Sequence, residues 1–325
     1  MTSMRGHDLV ALGEVMLRLA APPPQRLEQT RSLDVQIGGA EANVAAACAR
    51  LGLRSAFISA LPAEHVWAER TLRELTGHGV DCAGVLRRPA SRMGLYFLEY
   101  GVAPRPVRVF YDRRDSALSG LTAGEVDWST VRSARLLHLS GITPALGDNL
   151  RDVLRRALLE ARAASVPVSF DVNYRSRLWS PKEARQFLAE ILPSVSYLFI
   201  GCDEAETVFG LTGTPGDTLN GLRTLAPRAV IALTMGETGS AVLADGVVVR
   251  PSKLYLVCVV DRVGAGDAYA AGFIWATLHG RSPQQAVDAA TALAALKCTV
   301  WGDIPLVTRA ELDELLASDS TDIRR

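Results

Sequence analysis

The feature that most constrains the fold is an alternation. Short apolar runs at residues 8–12, 55–61, 135–139, 166–171, 197–200 and 229–233 are separated by stretches of helical period. Runs this short, without a polar face, read as strands buried on both sides, and the helices between them must cover both faces of a largely parallel sheet. Helices are expected over 41–51, closed by Gly52, and over 148–164. Ser180-Pro181 supplies an N-cap and a first-turn proline for another. Between 241 and 250 two β-rich runs flank Asp245-Gly246, a hairpin signal.

Two stretches interrupt this rhythm. Residues 14–37 contain Pro22-Pro23-Pro24 and a polar, mixed segment, and residues 91–115 are rich in β-formers such as Tyr96, Phe97, Tyr100, Phe110 and Tyr111. Both are read as insertions that build a small antiparallel sheet outside the main one. The chain therefore divides into an α/β core of 1–13, 38–90 and 116–325 and a β lid of 14–37 and 91–115. Its 325 residues suffice for both.

Charge and cysteine usage narrow the functional classes. Thirty-five Lys+Arg balance 35 Asp+Glu, so no net positive field gathers nucleic acid. The longest uncharged apolar stretch, 268–280, is shorter than the roughly 20 residues a membrane span needs. The apolar run 9–21 is broken by Glu14 and Arg18, which argues against a signal-peptide core. Five widely spaced cysteines without a CxxC pair suit a reducing cytoplasm and give neither a disulfide framework nor a zinc site. The expected partner is a small molecule, with no nucleic acid and no membrane.

The strongest chemical signal is Asp261-Arg262-Val263-Gly264-Ala265-Gly266-Asp267, followed directly by an apolar run to Leu278. A small-residue turn at a helix start leaves backbone N–H groups unpaired, and glycine lets an anion approach them closely. A carboxylate there raises the electrostatic cost of binding phosphate. That cost is rational if Asp267 takes a proton from an attacking hydroxyl. The plainer reading makes Asp267 a first-turn carboxylate complementing the helix dipole, and this fragment alone leaves both open. Lys182, Lys253 and Lys297 follow Pro, Ser and Leu, so no Gly-Lys of a Walker loop exists, and Tyr269 fills the place of a dinucleotide fingerprint's third glycine.

This turn and Gly38-Gly39-Ala40-Glu41-Ala42-Asn43 stand in the order of the two signatures of the PfkB/ribokinase family of carbohydrate kinases, which the chain resembles along nearly its whole length. Within it, the segments 94–97, 109–111, 171–175 with Leu178-Trp179, and 295–299 with Gly302-Asp303 resemble 2-keto-3-deoxygluconate kinases. The resemblance implies a ribokinase-like three-layer core with a mostly parallel sheet and a β-sheet lid. It also implies ATP and Mg²⁺, and transfer of the γ-phosphoryl group to a terminal hydroxyl. Asp267 is then the base, and the amides of Gly264, Ala265 and Gly266 form the anion hole.

By the same resemblance, Gly38, Gly39 and Asn43 meet sugar hydroxyls, and Tyr96, Tyr111, Arg113 and Arg175 surround the substrate. A guanidinium suits the carboxylate of an acid sugar. Thr234, Gly236 and Gly239 fall on the nucleotide loop, Thr291 lies near the base, and Glu204 organises Mg²⁺. Gly201 stands where an asparagine is usual, and residues 64–67 depart from an Asp-x-x-Gly pattern near the sugar. Two other readings compete: a kinase of a neutral sugar such as fructose or ribose, and a sugar-sensing relative with impaired catalysis. A homodimer through the lid is expected, since family lids often pair and aromatic lid edges need cover.

Overall fold

The computed structural model describes residues 6–102 and 104–318. The apolar runs become the central strands: β1 (Leu9–Leu12), β4 (Ser55–Pro62), β9 (Leu137–Ser140), β10 (Val168–Asp171), β11 (Tyr197–Gly201) and β12 (Val230–Thr234). Between and beside them in sequence lie β2 (Met16–Ala20), β3 (Asp34–Gly38), β5 (Val80–Asp81), β6 (Val85–Arg88), β7 (Leu95–Glu99), β8 (Arg108–Asp112), β13 (Ser240–Ala244) and β14 (Val247–Val249). The large sheet runs β14-β13-β12-β11-β10-β9-β1-β4-β5, with β6 also on β4. It is parallel from β12 to β5, and antiparallel only at the β12–β13–β14 edge, where Asp245 and Gly246 turn the hairpin with positive φ.

Helices cover both faces. The helices Asp148–Ala163, Pro181–Ile191, Cys202–Phe209 and Pro215–Leu225 bury Leu150, Leu154, Phe187, Val208 and Leu219 on one side. On the other, Ala40–Arg50, Ala265–Leu278 and Pro283–Cys298 bury Val44, Phe273, Trp275 and Leu293. Ser180 caps its helix as the sequence suggests, accepting from the Glu183 amide while Glu183 accepts from Ser180. Past Asp267 in its first turn, the Ala265–Leu278 helix is buried on every side from Ala268 to Ala276, as a helix wedged between sheet and neighbours must be.

The two interruptions form a separate four-stranded sheet, β3-β2-β7-β8. One expectation is corrected here. The lid is not wholly antiparallel, because its central strands β2 and β7 pair in parallel, with Leu17 opposite Leu95 and Leu19 opposite Phe97. Each is the outgoing arm of its own hairpin, with β3 and β8 as return arms. The two hairpins join through their outgoing arms, which run in the same direction and so pair in parallel.

Candidate active site

A cleft of about 920 Å³ lies between the lid and the C-terminal ends of the core strands, where open parallel sheets bind ligands. The lid contributes Tyr96, Tyr111 and Arg113, the core strand ends contribute Asp171, Gly201 and Thr234, and the glycine turn closes the floor. Arg177 spans core and lid, its Nη1 donating to the Val109 carbonyl at 3.2 Å.

Gly264 caps the Ala265–Leu278 helix at φ 86°, a left-handed conformation that favours glycine. A β-carbon there would sit 2.1 Å from the Asp303 carbonyl oxygen, so backbone meets backbone. The Ala265 amide is not free for an anion as expected, because it donates to the Arg262 carbonyl at 3.2 Å and closes the turn on itself. Among the described residues, the amides of Gly264 and Gly266 have no protein acceptor.

Asp267, in the first turn, lines the cleft and accepts a 2.7 Å hydrogen bond on Oδ2 from the Asn43 carboxamide. Burial pushes its carboxyl up to about 7, the Asn43 bond pulls the other way, and the neighbouring Asp303 adds to the rise. Asn43 is held in turn, since its Oδ1 accepts from the Gly39 amide at 3.3 Å. The residue expected to meet sugar hydroxyls therefore also orients the candidate base.

The arginines differ in what they have left to offer. Arg113 is buried and donates from Nε to Glu14 Oε2 at 2.8 Å, with Nη2 on the same oxygen, so its charge is already matched. Arg175 donates from Nη1 to the Tyr174 carbonyl at 3.0 Å and lies near Tyr111, Glu204 and Asp171, with no carboxylate paired to it among the described residues. Glu204 accepts from the Tyr174 amide at 2.6 Å and the Gly201 amide at 2.8 Å, which fastens two loops at the cleft edge. Burial, together with Glu204 and Asp267, raises the Asp171 carboxyl well above the usual range.

Of the residues named from sequence, Gly39, Asn43, Tyr96, Tyr111, Arg113, Arg175, Glu204, Thr234, Gly264, Ala265, Gly266 and Asp267 line this one cleft. Gly38 lies just behind it, where a β-carbon would be 2.4 Å from the Tyr96 hydroxyl. Gly236, Gly239 and Thr291 stand outside the lining; the Thr291 hydroxyl bonds its own helix at Val287. Sequence reasoning gives no role to Glu14, Glu41 or Asp171, which also line it. Their signal was present: Glu14 interrupts an apolar run, and Asp171 ends a buried strand.

Comparison with known proteins decides the family. The chain matches the pfkB family carbohydrate kinases over residues 7–309. It is 36% identical to a 2-dehydro-3-deoxygalactonokinase of Haloferax volcanii, over 98% of this chain and 99% of that protein. The chain belongs to the PfkB family of carbohydrate kinases. It is also 31% identical to a 2-dehydro-3-deoxygluconokinase of Thermoproteus tenax, over 95% of this chain and 94% of the relative. The crystal structure of a 2-dehydro-3-deoxygluconokinase from Thermotoga maritima superposes with a TM-score of 0.90 at 34% identity, covering 95% of this chain and 99% of that one. This PfkB protein is thus a sugar kinase with a mixed α/β core and a separate small sheet, as its sequence implied.

Proposed function

We propose that this sugar kinase transfers the γ-phosphoryl group of ATP to the terminal hydroxyl of a 2-keto-3-deoxy sugar acid, 2-keto-3-deoxygluconate first, with Asp267 as the base. The observation that carries the reading is the Asn43–Asp267 pair: a carboxyl pushed up to about 7, oriented by a 2.7 Å bond, beside the free amides of Gly264 and Gly266. A base works best when its pKa lies near the working pH.

Asp267 accepts the hydroxyl proton as the new O–P bond forms, while Asn43 holds the carboxylate in place. The Gly264 and Gly266 amides stabilise charge on the equatorial phosphoryl oxygens. Asp171, Glu204 and Asp267 line the cleft near Arg175, and among the described residues no three such donors converge as direct ligands, so a cation here would be held through its own waters. Asp171 and Glu204 would hold Mg²⁺ through its waters, since magnesium uses one or two carboxylates beside phosphate oxygens. Bound there, the ion supplies neutralising charge to the phosphates. Thr234 is proposed to meet the triphosphate, with Gly236, Gly239 and Thr291 toward the nucleoside end.

The names of the relatives support a keto-deoxy acid, and Arg175 supports the carboxylate: it is half-buried in the cleft with no carboxylate partner among the described residues, whereas Arg113 is spent on Glu14 and Arg108 and Arg177 are exposed. Gly38, Gly39, Tyr96 and Tyr111 are proposed to bound the sugar. The test is a turnover panel with ATP and Mg²⁺ over 2-keto-3-deoxygluconate, its C4 epimer, gluconate, fructose and ribose. The expected result is turnover of the keto-deoxy acids, with their advantage over neutral sugars lost in Arg175→Ala. Preferential turnover of fructose or ribose, unaffected by Arg175→Ala, would replace this reading with the neutral-sugar one. Sugar binding without turnover would favour a sensor.

A further inference from the structure

Behind the cleft lies a buried charged network that the proposed chemistry does not use. Arg18, on lid strand β2, is 0% exposed. Its Nη2 donates to Asp261 Oδ2 at 2.6 Å and its Nη1 to Asp303 Oδ1 at 2.5 Å. Asp261 opens the glycine turn, and its Oδ2 also accepts from the Tyr100 hydroxyl at 2.7 Å and the Gly302 amide at 3.1 Å. The carbonyl of the same residue accepts from the buried Lys297 ammonium at 2.9 Å. One guanidinium thus meets two carboxylates with an ammonium on the backbone beside them, and the Arg18 guanidinium lies 5.6 Å and 5.7 Å from the rings of Tyr100 and Trp301, which stack on each other.

The network joins the two halves of the site. Tyr96 and Tyr100 come from lid strand β7 and the residue after it, and Tyr96 donates to Asp303 Oδ2 at 2.5 Å. Trp301 donates to Asp34 on lid strand β3 at 2.7 Å. On the core side, the Asp303 carbonyl lies against Gly264, the cap of the phosphoryl-binding turn. The sugar-facing lid and the anion-binding turn therefore share one rigid junction, and Arg18 is its centre.

Apolar side chains of similar volume would hold two packed segments together at least as well, since desolvating four charges offsets much of their attraction. What charges add is directional placement. Rates of transfer between two bound groups depend steeply on their separation, and a misplacement of ~1 Å can lower the rate about 100-fold. We propose that Arg18 is a positioning residue, which through Asp261 and Asp303 sets the place of the Gly264–Gly266 turn relative to sugar held by the lid. This rests on the function proposed above.

Tyr100→Phe tests it with little change of volume, and Arg18→Lys keeps the charge but removes the two-pronged donor. The expected result is a fall in kcat of about tenfold or more in both, with KM for sugar and for ATP within about twofold of the parent and the acid limb of the pH profile unmoved. Amide exchange of residues 262–267, measured without substrate, should quicken in both variants while the large sheet keeps its protection. Unchanged kcat, or a rise in KM with kcat kept, would overturn the proposal, as would a loss that only tracks the folded fraction. If the parent turned over no sugar, the functional reading would fail on that result alone. The amide exchange would still decide whether Arg18 holds the turn, and unchanged exchange at 262–267 would overturn the inference.

Discussion

At the scale of single residues, the site turns on how Asp267 is held. Its carboxyl sits at about 7 because burial and Asp303 outweigh the bond from Asn43. As the base must be ionised, kcat/KM is expected to fall as pH drops through about 7. Asn43→Ala removes the bond that favours the anion, so the acid limb should move to higher pH; a pH–rate profile of both proteins checks this. Stability carries the opposite sign. The folded protein holds the Asp267 proton more tightly than the unfolded chain, so this group's contribution is complete below pH 4 and is lost as pH rises toward 7. Asp267→Asn, which cannot ionise, should therefore melt higher than the parent at pH 8, with the gap closing near pH 4. Thermal melts at the two pH values are the measurement.

At the scale of elements, the glycine turn was legible in the sequence because its conformation demands glycine locally. Gly264→Ala would place a methyl in a left-handed backbone and 2.1 Å from the Asp303 carbonyl. Expected is a loss of stability of roughly 1 kcal/mol or more, with kcat falling further than the melting temperature would suggest; calorimetry beside kinetics separates the two. The core strands were legible for a similar reason, since strands buried on both faces read as apolar runs without alternation. What stayed hidden is non-local. Arg18 meets Asp303 across 285 residues and Asp261 across 243, and nothing near any of them in the chain announces the others. The one visible hint was a charge inside an apolar stretch. Read as a break in a signal peptide, Arg18 proves to be a buried ion-pair centre. The parallel join of β2 and β7 was hidden likewise, because composition names strands and not their partners.

At the scale of the whole molecule, the cleft exists only where core and lid meet, and the proposed function assigns phosphoryl chemistry to the core and the sugar's surroundings to the lid. The lid's β8 edge carries Phe110, 39% exposed, and Val107, 37% exposed. We propose that a second copy covers this edge, and light scattering should then give twice the chain mass; a monomer at assay concentration would reject the pairing. Many of the candidate residues meet in one cleft because the strand ends of the parallel sheet converge and the lid sits over them, whereas Gly236, Gly239 and Thr291 stand outside it. Their division of labour was not legible, since only packing shows that Arg113 is neutralised by Glu14 while Arg175 is not. The most direct measurement on this kinase compares the parent with Asp267→Asn, using ATP, Mg²⁺ and 2-keto-3-deoxygluconate. Removal of the base should lower kcat by about 10²–10⁴-fold while ATP and sugar still bind with near-parent affinity. Turnover within a few fold of the parent would show that another group takes the proton.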